Sequence, residues 1–244
     1  MKNKKQFFQD FVYGVHPILE LLQAKRRKIG TLYTTKQPIK AWDLIEKHLP
    51  VYVPIQKVSR ETLDNIAGTP DHQGIIAFVP PFPFQKVMFN PSKSPFILVL
   101  DEIQDVRNLG AILRSAYCTG IDGVILCRRN SAPLTPAAFK ASAGLAEHLP
   151  IFIAPTIKTA FEAVKSAGYH IYCATLEQGE NAIQVEFSAP AALVIGNEEQ
   201  GIPKSLQSHG TRVLLPQKRA DISYNASVAA GILLFMMGTK LHKI

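Results

Sequence analysis

Cysteine is scarce. Cys118, Cys127 and Cys173 are the only three in 244 residues, and none forms a C-x-x-C pair or stands at metal-ligand spacing from a histidine. Neither a disulfide framework nor a zinc site is expected, and a reducing, cytoplasmic setting fits such a chain. Long apolar runs are also missing. The longest, Ala226 to Met237, is broken by Ser227 and Gly231 and falls short of the roughly 18 residues that a membrane span needs, so no membrane partner is expected. The start, MKNKKQFFQD, is basic with no apolar stretch behind it, unlike a secretory signal. No strand is followed by G-x-G-x-x-G and no Gly-Lys-Ser/Thr occurs, which argues against nicotinamide and ATP sites and against a dehydrogenase. There is no internal repeat or low-complexity tract.

Apolar residues make up 47% of the chain, enough for one large core or two modest ones. The net charge of +8 is gathered partly in clusters: Lys2 with Lys4 and Lys5, Lys25 to Lys28, Arg128 with Arg129, and Lys218 with Arg219. Such clusters attract a polyanion, although a solvated basic surface explains them equally well.

From Phe11 to Pro80 short helices and strands alternate. Helices are expected near 15–24, 40–48 and 59–67, and strands at 30–34, 51–55 and 74–79, forming a small α/β module over residues 1–80. Residues 81–95 hold Pro81, Pro83, Pro91 and Pro95 just after Pro80, too many missing amide donors for regular structure. This linker carries Phe82, Phe84 and Phe89, which favour packing against a domain. Residues 96–244 then repeat strand and helix, with strands near 96–100, 123–127, 151–154, 171–175, 192–195 and 213–215. Helices are expected near 108–119, 135–146, 159–167, 203–208 and 227–240. That rhythm predicts an α/β fold with a mostly parallel sheet.

Ligands of such sheets bind beyond the carboxyl ends of the strands, and three loops there are unusual. In DEIQDVRNLGAILR, Arg107, Gly110 and Arg114 fall on one helical face, open to a phosphate at the glycine, and Asn108 can cap the helix or hold a hydroxyl. In LVIGNEEQGIP, Gly196 and Gly201 bracket Asn197, Glu198 and Glu199, so the backbone can turn sharply and present its peptide groups. In LLPQKRADISYNASVAAG, Ser223, Tyr224 and Asn225 crowd a strand end, and Asn225 or Ser227 is a natural helix cap. The following helix is apolar on nearly every face, so it belongs in a core or at a subunit interface.

The segments N-L-G-A-I-L-R at 108–114, G-N-E-E-Q-G-I at 196–202 and L-P-Q-K-R-A-D-I-S-Y-N-A-S-V-A-A-G at 215–231 resemble, in order and spacing, the three motifs of SpoU/TrmH methyltransferases of the SPOUT superfamily. The stretches Y-G-V-H-P-I-L-E-L-L at 13–22 and H-Q-G-I-I-A at 72–77 resemble the ribosomal-protein L30e-like RNA-binding domain of the RlmB-type branch. The resemblance implies a trefoil-knotted C-terminal domain and a homodimer with its active site at the subunit interface. It further implies S-adenosylmethionine as methyl donor, no metal, and a ribose 2'-hydroxyl of structured RNA as acceptor, with guanosine in 23S rRNA foremost and transfer RNA the alternative. Asn108, Arg114, Glu198, Ser223 and Asn225 match catalytic or substrate-positioning places. Gly196, Asn197, Gly201, Leu215 and Tyr224 match the donor pocket. Arg219 stands where relatives commonly have glycine, and Tyr224 where they have leucine. A non-catalytic RNA-binding protein of the same fold is the rival reading, and retention of the matched side chains argues against it.

Overall fold

The computed structural model describes residues 10–197, 200–219 and 223–244. In chain order the first elements are β1 (Asp10–Tyr13), α1 (Val15–Ala24), β2 (Thr31–Thr35), α2 (Trp42–His48), β3 (Ile55–Val58), α3 (Arg60–Ala67) and β4 (Ile75–Val79). Next come β5 (Phe96–Leu100), α4 (Val106–Cys118), β6 (Gly123–Cys127), α5 (Pro136–Ala141), β7 (Ile151–Ala154), α6 (Ile157–Ser166) and β8 (His170–Thr175). The last are β9 (Glu180–Asn181), β10 (Ala191–Ile195), α7 (Lys204–Gln207), β11 (Thr211–Leu214) and α8 (Ala226–Lys240). Among the described residues no helix is long and apolar enough to cross a membrane.

The elements group into two compact units. The first takes the chain up to Pro83 together with Leu134–His148, and the second takes Phe84–Pro133 with Leu149–Ile244. In the first, four strands lie in the order β1-β4-β2-β3, antiparallel except for the β2–β3 pair. Helix α1 buries Pro17, Ile18 and Leu21, while α3 begins where Ser59 accepts the Thr62 amide at 3.1 Å and stops at the left-handed Gly68, a usual start and stop chemistry.

Two expectations change here. The strand proposed at 51–55 is a turn, closed by the Val53 amide donating to the Pro50 carbonyl at 3.0 Å, and pairing begins only at Ile55. Pro50 and Pro54 explain the shift, because neither has an amide to offer a ladder. The helix proposed at 135–146 ends at Ala141 and resumes as a 3₁₀ turn over Leu145–His148. Between them Ala143 and Gly144 take positive φ, and a Cβ at Gly144 would meet the Pro17 Cα at 2.6 Å. The break lets this segment lie directly on α1.

The contact is sealed by charge. Glu147 is fully buried and Arg27 is 6% exposed. The guanidinium donates from Nε to Oε2 of Glu147 at 3.1 Å and from Nη2 to Oε1, with its carbon 4.8 Å from the Phe139 ring centre. Burial pushes the Glu147 carboxyl up, and Arg27 pulls against that shift. The basic cluster at 25–28 is therefore partly interior: Arg27 holds this unit together and is withdrawn from any polyanion.

In the second unit seven strands run in the order β7-β6-β5-β10-β8-β11-β9, every neighbouring pair parallel. The central strands β5, β6 and β10 are buried at every position, as their unbroken apolar sequences require when both faces are covered. Ile97 and Val99 join Phe161 and Val164 of α6 in one core. Helix α8 packs on α4 and β10. From β5 the chain steps to β6 on one side, while β10 lies on the other, so a switch in strand order falls between β5 and β10. Crevices form at such points.

Candidate active site

The carboxyl ends of β10, β8 and β11 open into a cavity of about 1040 Å³. Its walls are set by local chemistry. After Ile195, the Asn197 Oδ1 accepts the Gln200 amide at 3.0 Å, and the Gly201 amide returns to the Asn197 carbonyl at 2.9 Å with Gly201 at φ 64°. Gly196 serves close approach instead of an unusual φ: a Cβ there would lie 2.5 Å from the Gly201 carbonyl carbon and 2.6 Å from the Ile202 nitrogen. The Asn197 Nδ2 also donates to the Glu102 carbonyl at 3.3 Å, tying this loop to the one after β5.

Asp105, not Asn108, caps α4, accepting the Arg107 amide at 2.7 Å. Asn108 is thereby left in the first turn, where its Oδ1 accepts from Asn225 Nδ2 at 3.2 Å. Asn225 caps α8 as expected, its Oδ1 accepting the Ser227 amide at 2.9 Å. The phenol of Tyr224 donates to the Pro216 carbonyl at 3.4 Å, closing the third loop on itself.

The fold thus gathers residues from three distant segments. Asn108, Ser223 and Asn225 line the cavity, as do Gly196, Asn197, Gly201, Leu215 and Tyr224. Ser223 and Tyr224 also border a smaller recess of about 270 Å³ with Gln217, Lys218 and Arg219. Glu198 lies outside the described residues. Arg114 is exposed on α4 and does not line the cavity of its own chain. Six positions beyond Asn108, it points about 120° away around the helix and about 9 Å further along it. Gly110, read as an opening for phosphate between Arg107 and Arg114, is buried.

Residues that the sequence reading overlooked complete the cavity. Thr175, Glu177 and Gln178 follow β8, Arg212 belongs to β11, and Lys204 and Gln207 belong to α7. The polar run T-L-E-Q-G-E-N directly after an apolar strand was the available signal. At the end of β5, Asp101 is 4% exposed, and burial pushes its carboxyl up to about 6, helped by the neighbouring Glu102. No group of three or more metal-binding side chains occurs among the described residues.

A parallel sheet whose cavity joins an asparagine pair, a glycine-bridged loop and a serine-bearing loop defines a class of protein, and comparison places the chain within it. It belongs to the SpoU rRNA Methylase family, whose model matches residues 95–235, and residues 11–85 match the model for RNA 2'-O ribose methyltransferase substrate binding. It is an RNA 2'-O-ribose methyltransferase of that family. Among its relatives is the putative TrmH family tRNA/rRNA methyltransferase YacO of Bacillus subtilis, 30% identical over 96% of this chain and 97% of its own. The 23S rRNA (guanosine-2'-O-)-methyltransferase RlmB of Acinetobacter baylyi is 32% identical over 93% and 95% respectively. The fold is shared with the SpoU methyltransferase AviRb of Streptomyces viridochromogenes, solved in complex with AdoMet. Its TM-score is 0.79 at 23% identity, covering 95% of this chain and 90% of that one.

Proposed function

We propose that this protein methylates the ribose 2'-oxygen of a guanosine in 23S rRNA, using S-adenosylmethionine, as a cytoplasmic homodimer whose two active sites each draw on both subunits. The convergence of Asn108, Gly196, Leu215 and Asn225 on one cavity carries this reading. The residues fit the donor: the cavity is large enough for a nucleoside bearing an amino-acid tail, and its floor holds a buried, unpartnered hydroxyl on Thr175. Backbone at Gly196, Leu215 and Tyr224, with Asn197 and Gly201 shaping the loop, would hold the adenosine part. The bound donor supplies a methyl group on a sulfonium.

The chain must supply alignment and charge compensation, since a ribose hydroxyl is a poor nucleophile until its proton begins to leave. Asn108 and Asn225 fix one wall, and Ser223 and Glu198 complete the matched set. Arg114 stabilises the developing alkoxide and the adjacent phosphate; a guanidinium with pKa above about 12 is not the base. Because its own helix turns Arg114 away from the cavity, the side chain enters from the second subunit. Supporting this, Val228 and Phe235 of α8 are 48% and 60% exposed, and Tyr117 of α4 is 41% exposed. With Ile232, the two α8 residues form one stripe at i, i+4 and i+7, an apolar face suited to isologous pairing. The reading includes a trefoil-knotted path through the second unit and an L30e-like first unit that grips RNA. It assigns residues 1–80 to RNA binding, 81–95 to the linker and 96–244 to transfer, with residues 134–148 grouped in the first unit.

The 23S assignment over transfer RNA draws on the RlmB relatives and the substrate-binding match. Purified protein, labelled donor and total RNA from a deletion strain should give one mapped 2'-O-methylguanosine in 23S rRNA. A site in transfer RNA would move the substrate, and no transfer would favour the non-catalytic reading. Arg114→Ala should bind donor and RNA but lose single-turnover transfer; near-normal rates would refute its role. Mixing Arg114→Ala with Asn225→Ala subunits should restore about a quarter of wild-type activity, because one site in each mixed dimer is intact. An arginine acting within its own chain would restore none.

A further inference from the structure

Ser227, the second residue of α8, does more than the helix cap requires. A cap needs one side-chain oxygen to accept one unpaired amide, and Asn225 Oδ1 meets that need with the Ser227 amide at 2.9 Å. The Ser227 hydroxyl then donates to the same oxygen at 2.6 Å. An amide oxygen has two lone pairs, so both are filled. Two donors converging on one end of the Asn225 side chain fix which end is oxygen. The other end is nitrogen, with two hydrogens to give, and one of them goes to Asn108 Oδ1 at 3.2 Å. The hydrogen bonds therefore run in one direction, from Ser227 through Asn225 to Asn108.

Asn225 lines the cavity and is exposed, so that direction decides what it offers a substrate. With both lone pairs of Oδ1 engaged, its side chain meets RNA as a donor, through the second Nδ2 hydrogen. We infer that Ser227 is a positioning residue for methyl transfer: its hydroxyl saturates Asn225 Oδ1 and thereby holds the Asn225 amide nitrogen toward an oxygen of the acceptor ribose. This rests on the placing of Asn225 in the active site above, and extends it to a side chain that is not among the described residues lining the cavity. A donor fixed in advance stabilises charge as it builds on a ribose oxygen, whereas an acceptor grips the hydroxyl in its unreactive form. Aligned hydrogen bonds also strengthen one another. Alanine at position 227 keeps the backbone amide, and with it the cap, but frees one lone pair of Oδ1. The asparagine can then accept the ribose proton, so that binding survives and transfer slows.

Single-turnover methylation by the full-length protein, with labelled S-adenosylmethionine and total RNA from a deletion strain, separates positioning from support of the fold. Ser227→Ala should lower the rate at saturating RNA about fivefold, the size of one hydrogen bond. The half-saturating RNA concentration, the calorimetric affinity for S-adenosylhomocysteine and the melting temperature should not change. Ser227→Thr, which keeps the hydroxyl, should recover most of the rate. Asn225→Ala should also slow transfer, and adding Ser227→Ala to it should cost nothing more, because the hydroxyl acts only through that amide. A full rate for Ser227→Ala would overturn the inference, as would a loss confined to RNA or donor affinity, threonine as slow as alanine, or a further loss in the double variant. A full rate for Asn225→Ala would instead remove Asn225 from the active site, and the role of Ser227 with it.

Discussion

Replacing Arg27 with methionine tests whether the buried ion pair organises the first unit. Methionine refills most of the space beside Phe82 and Phe139 but leaves the Glu147 carboxylate, at zero exposure, with no guanidinium. Breaking a buried pair by removing one partner costs about 3–5 kcal/mol, and loss of the stacking on Phe139 adds about 1 kcal/mol. Domains of this size are stable by only about 5–15 kcal/mol, so Arg27→Met should leave the unit near its unfolding threshold. The paired change Arg27→Met with Glu147→Leu removes both charges and should recover most of that loss. The effect also has a pH signature. Burial already raises the Glu147 carboxyl, and without Arg27 it rises further. Stability tied to a raised carboxyl is full below its unfolded pKa and is lost as pH climbs through the folded one, so the deficit of Arg27→Met should grow as pH rises above the ordinary carboxylate range. Trp42, the single tryptophan, lies in α2 of this unit, so its fluorescence during urea unfolding reads the right part of the molecule. A single-variant loss below about 1 kcal/mol, or a double variant as unstable as the two singles combined, would refute the reasoning.

Other outcomes follow from the same geometry. Asp101→Asn should equal the wild type near pH 4 and exceed its stability by up to about 3 kcal/mol at pH 8, since a carboxyl raised to about 6 from 3.8 loses stability as pH rises through the folded value; a difference independent of pH would contradict this. Gly196→Ala forces a Cβ against backbone at Gly201 and Ile202 and should weaken S-adenosylhomocysteine at least tenfold in calorimetry while the protein stays folded, whereas unchanged affinity would mean that the loop tolerates displacement. Phe235→Glu on the exposed stripe of α8 should convert dimer to monomer in light scattering and abolish transfer while donor binding persists in part; an active monomer would end the proposal of shared sites.

Much of the architecture was legible in the chain because its cues are local. The unbroken apolar stretches at 96–100, 123–127 and 192–195 could be satisfied only as strands covered on both faces. The loops after β5, β10 and β11 carried a chemistry too polar and glycine-rich for simple connections. The boundaries that shifted did so for reasons beyond periodicity. At 51–55 two prolines outweighed β-branched residues, and at 142–144 the chain bent because a distant helix, α1, occupies the space a continued helix would need.

The sequence by itself determined which residue types stand at each strand end and that the C-terminal helix has too little polar surface to remain uncovered. Only the tertiary structure decided which of them meet. The strand order set Asn108 against Asn225 across 117 positions and placed Thr175 and Arg212 beside the same cavity, though no motif joins them. It also turned Arg114 outward and buried Gly110, which helical spacing alone had put on one open face. Spacing along a helix defines relative directions, while the packing of α4 against α8 selects which of those directions is solvent, and that selection depends on contacts between segments the chain brings together only when folded.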